Sequence, residues 1–300
     1  MSVYRNGGLF LILSVLWGTA FMAIKAGLAF MPPVLFAAFR YDIAGVIMLG
    51  YVVSTTEYWR PRTQADWLTV LIGATLVIAL YNAFLFIGEQ GVTSGIAAIV
   101  VAMNPILATV FSRLLLPDER LDFVGVIGLL CGIIGVGLVA GATTSTLLGS
   151  DTVATGFVFL AAVCVALGSV LVQRIDGNIS TEGMVAWSNA LGAVVLHVMS
   201  VALPSESLVN VDVTTSSLLA VVYLGVFASA VGYFIYFLLL DRLGAIEINL
   251  ISYAAPVFAA ASGWLVLGEQ LEPLSIAGFL VIVAGFGLVK HEALRDQVLR

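Results

Sequence analysis

The chain has 300 residues, of which 61% are hydrophobic and 10% are charged, and its mean hydropathy is +1.11. This composition excludes a soluble globular domain, because nearly continuous apolar stretches of about 18 residues or more are typical of transmembrane helices. An outer-membrane barrel is also excluded, because its strands would alternate apolar and polar residues. The net charge of −6 argues against nucleic acid as a partner.

The apolar runs predict an all-α integral membrane protein with ten transmembrane helices. The predicted spans are Gly8–Ala26, Pro33–Val53, Trp67–Gly88, Thr93–Leu116, Asp122–Gly141, Thr152–Arg174, Glu182–Leu203, Thr215–Leu240, Ala245–Gly268 and Pro273–Lys290. The first run follows Arg5 and reaches Lys25 without a small-residue cleavage site, so it is interpreted as a helix of the mature protein.

The basic residues predict the orientation of these spans. Of the 12 Lys and Arg residues, Lys25 lies on one side of the predicted membrane and Arg40 lies inside a span. The others share the opposite side, and they are Arg5, Arg60, Arg62, Arg113, Arg120, Arg174, Arg242, Lys290, Arg295 and Arg300. Because basic loops stay in the cytoplasm, both termini are predicted to be cytoplasmic, in a multi-pass protein of the cell membrane.

The two halves of the chain are similar to each other. Gly128–Val139 matches Gly278–Val289 at an offset of 150, with six of twelve positions identical. Three further pairs match at offsets of 151 or 152: Pro105 with Pro256, Gly73 with Gly225, and Tyr81 with Tyr233. Five spans per copy place the second copy upside down, and inverted repeats around a central cavity are a hallmark of secondary transporters.

This duplication predicts the domain organisation. The expected segments are a first repeat of spans 1 to 5 (residues 1–141), a linker (142–151), a second repeat of spans 6 to 10 (152–290) and a cytoplasmic tail (291–300).

Arg40 and Asp42 are charged residues that lie well inside the second predicted span. Arg40 is seven residues past Pro33, roughly 10 Å below the outer surface at a rise of 1.5 Å per residue. A charge at that depth is a functional candidate that faces a cavity, and the alternative is a structural pair or a snorkelling side chain. Asp42 points to a different face of the helix. It could be a proton site or a counter-charge, and the sequence does not choose between these.

Pro105 and Pro256 are predicted hinges, because each removes a backbone hydrogen bond near the middle of a span. Ordinary packing kinks are the alternative for each. Tyr81 and Tyr233 are predicted outer and inner gate elements, because inversion places matched residues in opposite halves of the membrane. Aromatic packing between helices is their alternative.

Further polar and amphipathic residues are candidates to line the substrate cavity. Glu247 also has a second interpretation, as a carboxylate favoured by the dipole at a helix N-terminus. A hydrogen-bonded His197 is favoured over a proton relay. The cavity candidates other than Arg40 and Asp42 are Trp17, Asn82, Asn104, Trp187, Asn189, Tyr236, Glu247 and Asn249.

Glycine-rich spans 5 and 10 are interpreted as scaffold or as a dimer surface, and a homodimer through them is a further prediction. Cys131 and Cys164 lie in apolar spans and are interpreted as small buried residues. No catalytic, metal-binding or nucleotide-binding motif is evident, so neither an enzyme nor a cofactor is predicted.

The order of motifs resembles an EamA-type drug/metabolite transporter. The opening Leu16-Trp-Gly-Thr-Ala-Phe21 is followed by Lys25, Pro33 and Arg40. Spans 4 and 9 centre on prolines and end in the apolar-acidic turns Leu-Pro-Asp-Glu-Arg-Leu121 and Leu-Gly-Glu-Gln-Leu271. The resemblance covers essentially the whole chain. It implies a ten-helix bundle in which helices 1–4 of each repeat line a central cavity and helices 5 and 10 are peripheral.

Two functions follow as hypotheses. The first is a secondary transporter, expected to be an exporter, that moves small organic metabolites such as amino acids by alternating access. The second is a lipid-associated or sensory membrane protein that kept the fold without transport. Within the transport hypothesis, Asp42 and Glu247 are the candidate acids for proton coupling, and uniport or exchange driven by substrate gradients stays open.

Overall fold

A computed structural model describes residues 2–115, 123–139, 150–175, 177–243, 248, 250–270 and 272–289. Within these residues the fold is all-helical, with ten main helices and one short 3₁₀ turn at Leu208–Asn210. In chain order, α1 to α10 are Ser2–Gly27, Pro33–Thr55, Gln64–Glu89, Ser94–Leu115, Phe123–Val139, Ser150–Arg174, Thr181–Ala202, Thr215–Leu243, Ile251–Leu267 and Pro273–Val289.

Seven of these helices are long and apolar enough to cross a membrane: α1 to α4 and α6 to α8. Apolar stretches of α5, α9 and α10 are shorter, at 10–17 residues. The protein is therefore a multi-pass membrane protein, because a span needs about 20 apolar residues.

Short-range hydrogen bonds fix where several helices begin. Thr63 and Asp66 form a reciprocal capping box at the start of α3, and Thr214 and Ser217 do the same for α8. Pro33 is the first helical residue of α2, where a missing N–H removes no helical bond. The two capping boxes are 151 residues apart, so the two halves of the chain start their third helices in the same way.

Three helices depart from regular α geometry. A π-helical segment spans Gly73–Leu80 in α3, and another spans Tyr223–Val231 in α8. A third, Gly263–Leu267, closes α9, which ends at Gly268 with a φ of 68° that favours glycine. Helix α4 is interrupted at residues 102–103. Such departures often mark functional or hinge regions.

Glycines allow α5 and α10 to pack together closely. A Cβ on Gly278 would lie 2.6 Å from the carbonyl oxygen of Gly135, and one on Gly285 would lie 2.6 Å from that of Gly128. These glycines thus serve the packing of α10 against α5 within one chain. The other faces of these helices carry exposed apolar side chains such as Leu280, which can meet lipid or a second copy, so the homodimer stays a prediction.

The helices join at two ends of the bundle. At one, Lys25 of α1 donates to carbonyl oxygens that follow α3, and we call this the Lys25 end. At the other, Asp66 of α3 accepts the backbone N–H groups of Asn178 and Ile179, between α6 and α7. We call this the Asp66 end.

The observed helices lie close to the predicted spans. All ten described helices begin within six residues of their predicted starts, and the largest differences are those of α1, which begins six residues earlier, and α9, which begins six residues later, at Ile251. Glu247 and Asn249 lie outside the described residues, as do the linker up to residue 149 and the tail beyond residue 289.

Candidate functional site

Arg40 lies at the centre of a polar and aromatic cluster between α2 and α8. Its Nε donates to Ser229 Oγ at 2.9 Å, in the π-helical segment of α8. The guanidinium carbon lies 5.1 Å from the ring centre of Tyr41. Among the described residues, no carboxylate lies within 4.0 Å of this guanidinium. Its terminal N–H groups are therefore free to bind an anion.

Close packing of α8 on α2 holds Arg40 in place. A Cβ on Gly225 would lie 3.0 Å from the carbonyl oxygen of Arg40 and 2.7 Å from Cβ of Ile43. Only glycine fits at this position without a shift of backbone. The contact brings Ser229, one turn further along α8, to the guanidinium.

Tyr81 and Tyr233 border the same cluster. Both tyrosine side chains interact electrostatically with Tyr41 and Arg40, and Tyr233 also interacts with Tyr81. Both predicted gate residues thus lie within electrostatic range of Arg40. Their role as gates stays a prediction.

Asn82 orients the tyrosine next to Arg40. Its Nδ2 donates to Tyr41 Oη at 3.1 Å and to the Ile78 carbonyl oxygen at 2.8 Å. Its Oδ1 is buried and has no hydrogen-bond partner among the described residues. An unpaired acceptor in the interior is costly, so this atom is available to a bound donor.

Trp17 and Tyr236 extend the cluster toward α1. The Trp17 indole N–H donates to the Ala228 carbonyl oxygen at 3.1 Å, and its ring stacks on Tyr236 with centroids 5.5 Å apart. A Cβ on Gly232 would lie 2.7 Å from Trp17 Nε1. The site therefore combines one guanidinium group with aromatic side chains from four helices.

Asp42 does not join this cluster. Its Oδ2 lies 2.8 Å from His197 Nε2 on α7, and both side chains are well exposed, at 46% and 38%. Residues two apart on a helix point to different faces, so Asp42 lies away from Arg40. Asp42 is thus paired with a histidine, and His197 is hydrogen-bonded as expected.

Trp187 lies at the Asp66 end, away from Arg40. Its indole N–H donates to the Trp59 carbonyl oxygen at 3.1 Å, and its ring packs against those of Trp59 and Trp67. The cavity role expected for Trp187 therefore has no support in its contacts, which tie the start of α7 to the loop before α3.

The remaining candidates lie in interrupted or tightly packed helices. The interruption of α4 precedes Pro105 directly, whereas α9 runs through Pro256 without a break. Asn104 has a buried Oδ1 without a partner among the described residues, and Asn189 has both side-chain polar atoms unpartnered there. The structure is thus compatible with a hinge at Pro105, and both hinges stay predictions.

Two charged residues at the Lys25 end were not assigned a role from the sequence. Lys25 Nζ donates to the carbonyl oxygens of Glu89, Gln90 and Val92 at 2.7, 3.1 and 2.9 Å. Glu89 is fully buried. Glu89 lies one residue beyond the predicted span, so the burial of its side chain was not predictable from the apolar pattern.

A cavity of about 440 Å³ also lies at the Lys25 end. Loops between α1 and α2 and between α7 and α8 line it, together with Ile87 and Gln90 of the α3 terminus. The residues around Arg40 are not part of this lining. Among the described residues, no group of three His, Cys, Asp or Glu side chains is placed to hold a metal ion.

The described bundle is that of a polytopic membrane protein. The profile of the EamA-like transporter family matches the chain twice, at residues 6–141 and 153–290. The chain belongs to the EamA-like transporter family.

Similar proteins carry transporter names. A "probable amino-acid metabolite efflux pump" of Salmonella typhimurium is 29% identical, over 94% of this chain and 93% of its own length. The Escherichia coli protein of that name is also 29% identical, over 97% and 98%. Transporter YvbV of Bacillus subtilis is 28% identical, over 96% and 92%. These names point to transport rather than to an enzyme.

One solved crystal structure has the same fold. It superposes with a TM-score of 0.67 and covers 97% of this chain and 98% of its own, at 22% sequence identity. At this identity the similarity supports the fold alone.

Proposed function

We propose that the protein is a secondary transporter that exports small metabolites bearing a carboxylate, such as amino acids, across the cell membrane. The observation that carries this proposal is the unpaired guanidinium of Arg40 inside the bundle. Arg40 is half-buried, and a charge inside the bundle that has no carboxylate partner among the described residues is a candidate ligand-binding group. The efflux names of the relatives support the outward direction.

The aromatic rings around Arg40 indicate what else the substrate carries. Trp17, Tyr41, Tyr81, Tyr233 and Tyr236 border the site, and their faces favour apolar or cationic groups. A carboxylate bound at Arg40 would place the remainder of an amino acid against these rings. We therefore favour substrates that combine a carboxylate with an apolar side chain.

Alternating access between two inverted five-helix repeats is the proposed mechanism. The matched capping boxes and the matched π-helical segments of α3 and α8 support it. A close glycine contact occurs in both halves: Gly73 meets Ser188 of α7, and Gly225 meets Ile43 of α2. Two equivalent packings around one site provide the two states that such a transporter needs.

The test uses reconstituted vesicles that contain the protein or its variants. We expect counterflow of labelled L-phenylalanine, and competition by amino acids but not by phenethylamine, which lacks the carboxylate. Arg40→Gln should reduce the rate about tenfold or more, because hydrogen bonds to a charged group contribute about 1.5–3 kcal/mol. Arg40→Lys should retain part of the rate, since it keeps the charge without the planar fork.

Arg242→Gln is the matched control. Arg242 is exposed at the end of α8, where its hydrogen-bond partner is Asn6 at 3.4 Å, so transport should be unchanged. Equal competition by phenylalanine and phenethylamine would contradict a carboxylate site at Arg40. A wild-type protein that moves no member of an amino-acid panel would count against the transport proposal itself.

A further inference from the structure

Glu89 is a fully buried carboxyl group without a hydrogen-bond partner. It is 0% exposed, and among the described residues neither Oε1 nor Oε2 accepts a hydrogen bond. Buried carboxylates in proteins are nearly always hydrogen-bonded or paired, because an unpaired charge in the interior is costly. This side chain therefore needs either a proton or a partner.

The nearest cation is already fully used. An ammonium group has three N–H donors, and Lys25 directs them to the carbonyl oxygens of Glu89, Gln90 and Val92. None remains for the Glu89 carboxyl group. Lys25 therefore stabilises the chain after α3 and affects the Glu89 side chain only through space.

The charged groups that face Glu89 come from several elements. Lys25 of α1 and Arg40 of α2 are cationic, and Glu269, after α9, is anionic. Tyr81, on α3 itself, also interacts with the Glu89 carboxyl group. From α4 and α6, no charged group among the described residues is a source of this interaction. Glu269 is itself engaged, since its carboxylate accepts the Ser94 N–H at the start of α4.

Solvent can reach the neighbourhood of Glu89. Ile87 and Gln90, on either side of it in the chain, line the cavity of about 440 Å³ at the Lys25 end. Glu89 is thus next in the chain to a residue that lines this cavity, and it also interacts electrostatically with Arg40. This position suits a group that exchanges protons with one side of the membrane.

We propose that Glu89 is a proton-binding site whose occupancy is coupled to anion binding at Arg40. When Glu89 is ionised, its charge attracts the Arg40 guanidinium and repels a ligand carboxylate. When it is protonated, the charge of Arg40 is available to the ligand. Proton and anion therefore favour each other's binding, and the coupling is reciprocal. An anion that leaves the cell then takes a proton with it, so this export is driven by the outward gradient of the substrate and not by the proton gradient. This inference rests on the proposed anion site at Arg40.

Benzoate binding to the purified protein tests the coupling, because benzoate stays ionised between pH 6 and 8.5. In the wild type its affinity should fall about fivefold or more as pH rises through this range. Binding should also take up protons, as measured by calorimetry in two buffers of different ionisation enthalpy. In Glu89→Gln, the affinity should be independent of pH and no proton should be taken up.

Infrared spectroscopy provides an independent readout. The wild type should show a carboxylic-acid C=O band that Glu89→Gln lacks and that benzoate strengthens. Glu206→Gln is the matched control, because the Glu206 carboxylate accepts the N–H groups of Val34 and Leu35 and should not contribute to the band. If Glu89→Gln does not fold, the calorimetry and the benzoate-dependent band of the wild type still decide.

Several outcomes would overturn the coupling. Benzoate binding that is independent of pH and releases or takes up no proton would refute it and leave the Arg40 site intact. Loss of the pH dependence in Asp42→Asn instead of Glu89→Gln would move the proton site to Asp42. No benzoate binding at any pH would remove both the coupling and the proposed anion site.

Discussion

Asp66 shows how one side chain joins distant parts of the chain. It is fully buried, and its two oxygens accept five hydrogen bonds at the Asp66 end. The donors are the N–H groups of Arg62, Thr63, Asn178 and Ile179 and the hydroxyl of Tyr58. The contacts bridge 113 residues of sequence. The carboxylate therefore ties the start of α3 to the loop before α7.

Asp66→Asn should lower the free energy of unfolding by about 2–4 kcal/mol. The amide NH₂ group would replace one carboxylate oxygen, and it cannot accept the hydrogen bonds of the N–H donors that face it. The measurement is thermal unfolding in detergent. Asp212→Asn is the control, since Asp212 is exposed and no hydrogen bond to its carboxylate is found in the described structure. Equal melting temperatures for both variants would show that the Asp66 network contributes little.

Local sequence could not have placed Glu89 or Asp66 in the interior. Glu89 follows an apolar helix immediately before a loop, where most carboxylates face water. Its burial results from the packing of α3 against α6, in which Gly88 approaches Val158. Arg40, by contrast, could be predicted as a site residue, because a charge seven residues inside a span usually faces a cavity or a partner. Depth along a helix can be read from sequence, whereas the face toward a neighbouring helix cannot.

At the scale of helices, the glycines of α5 and α10 set the distance between the two axes. Gly278→Ala and Gly285→Ala should each lower the free energy of unfolding by about 1–3 kcal/mol, because the added methyl group would overlap a backbone carbonyl. Gly287→Ala, on the same helix, has open space around it and should be neutral or slightly stabilising.

Thermal unfolding of the three variants, with size-exclusion chromatography in detergent, would separate stability from oligomeric state. If Gly287→Ala were as destabilising as Gly278→Ala, overlap of the added methyl group with a backbone carbonyl would not explain the losses. If the wild type were a dimer that Gly278→Ala dissociates without unfolding, the glycine face would serve a second copy rather than α5.

The lengths of the helices were predictable, but their irregularities were not. Apolar runs bounded by Pro33, Thr93 and Thr215 predicted helices that begin at or next to these residues. The π-helical segments of α3 and α8 leave no mark in the apolar pattern. They arise where Gly73 and Gly225 meet side chains of other helices. Tertiary contact therefore decides where these helices widen.

At the scale of the whole molecule, the excess of basic residues predicts which end faces the cytoplasm. The Asp66 end carries Arg60 and Arg62, and the Lys25 end carries the loop with Asn210. We expect Asn210→Cys to react with a membrane-impermeant maleimide in intact cells. Glu57→Cys should react only after permeabilisation, because positive loops stay inside.

Both substitutions are made in a chain with Cys131→Ala and Cys164→Ala, so that no other thiol reacts. Glu57 and Asn210 are both exposed, so access to the side chain does not limit the reaction. Labelling of Glu57→Cys in intact cells, with none at Asn210→Cys, would reverse the orientation and with it the assignment of the cavity to the outside.

The two ends of the bundle are held together by side chains of opposite charge. Lys25 is an ammonium that donates to carbonyl oxygens, and it keeps its charge when the medium turns acidic. Asp66, at the other end, is a carboxylate that accepts N–H groups. In the predicted orientation the ammonium faces the environment, whose pH varies, and the carboxylate faces the buffered cytoplasm. External acid can then protonate Glu89 without breaking the hydrogen bonds that Lys25 donates at the same end of the bundle.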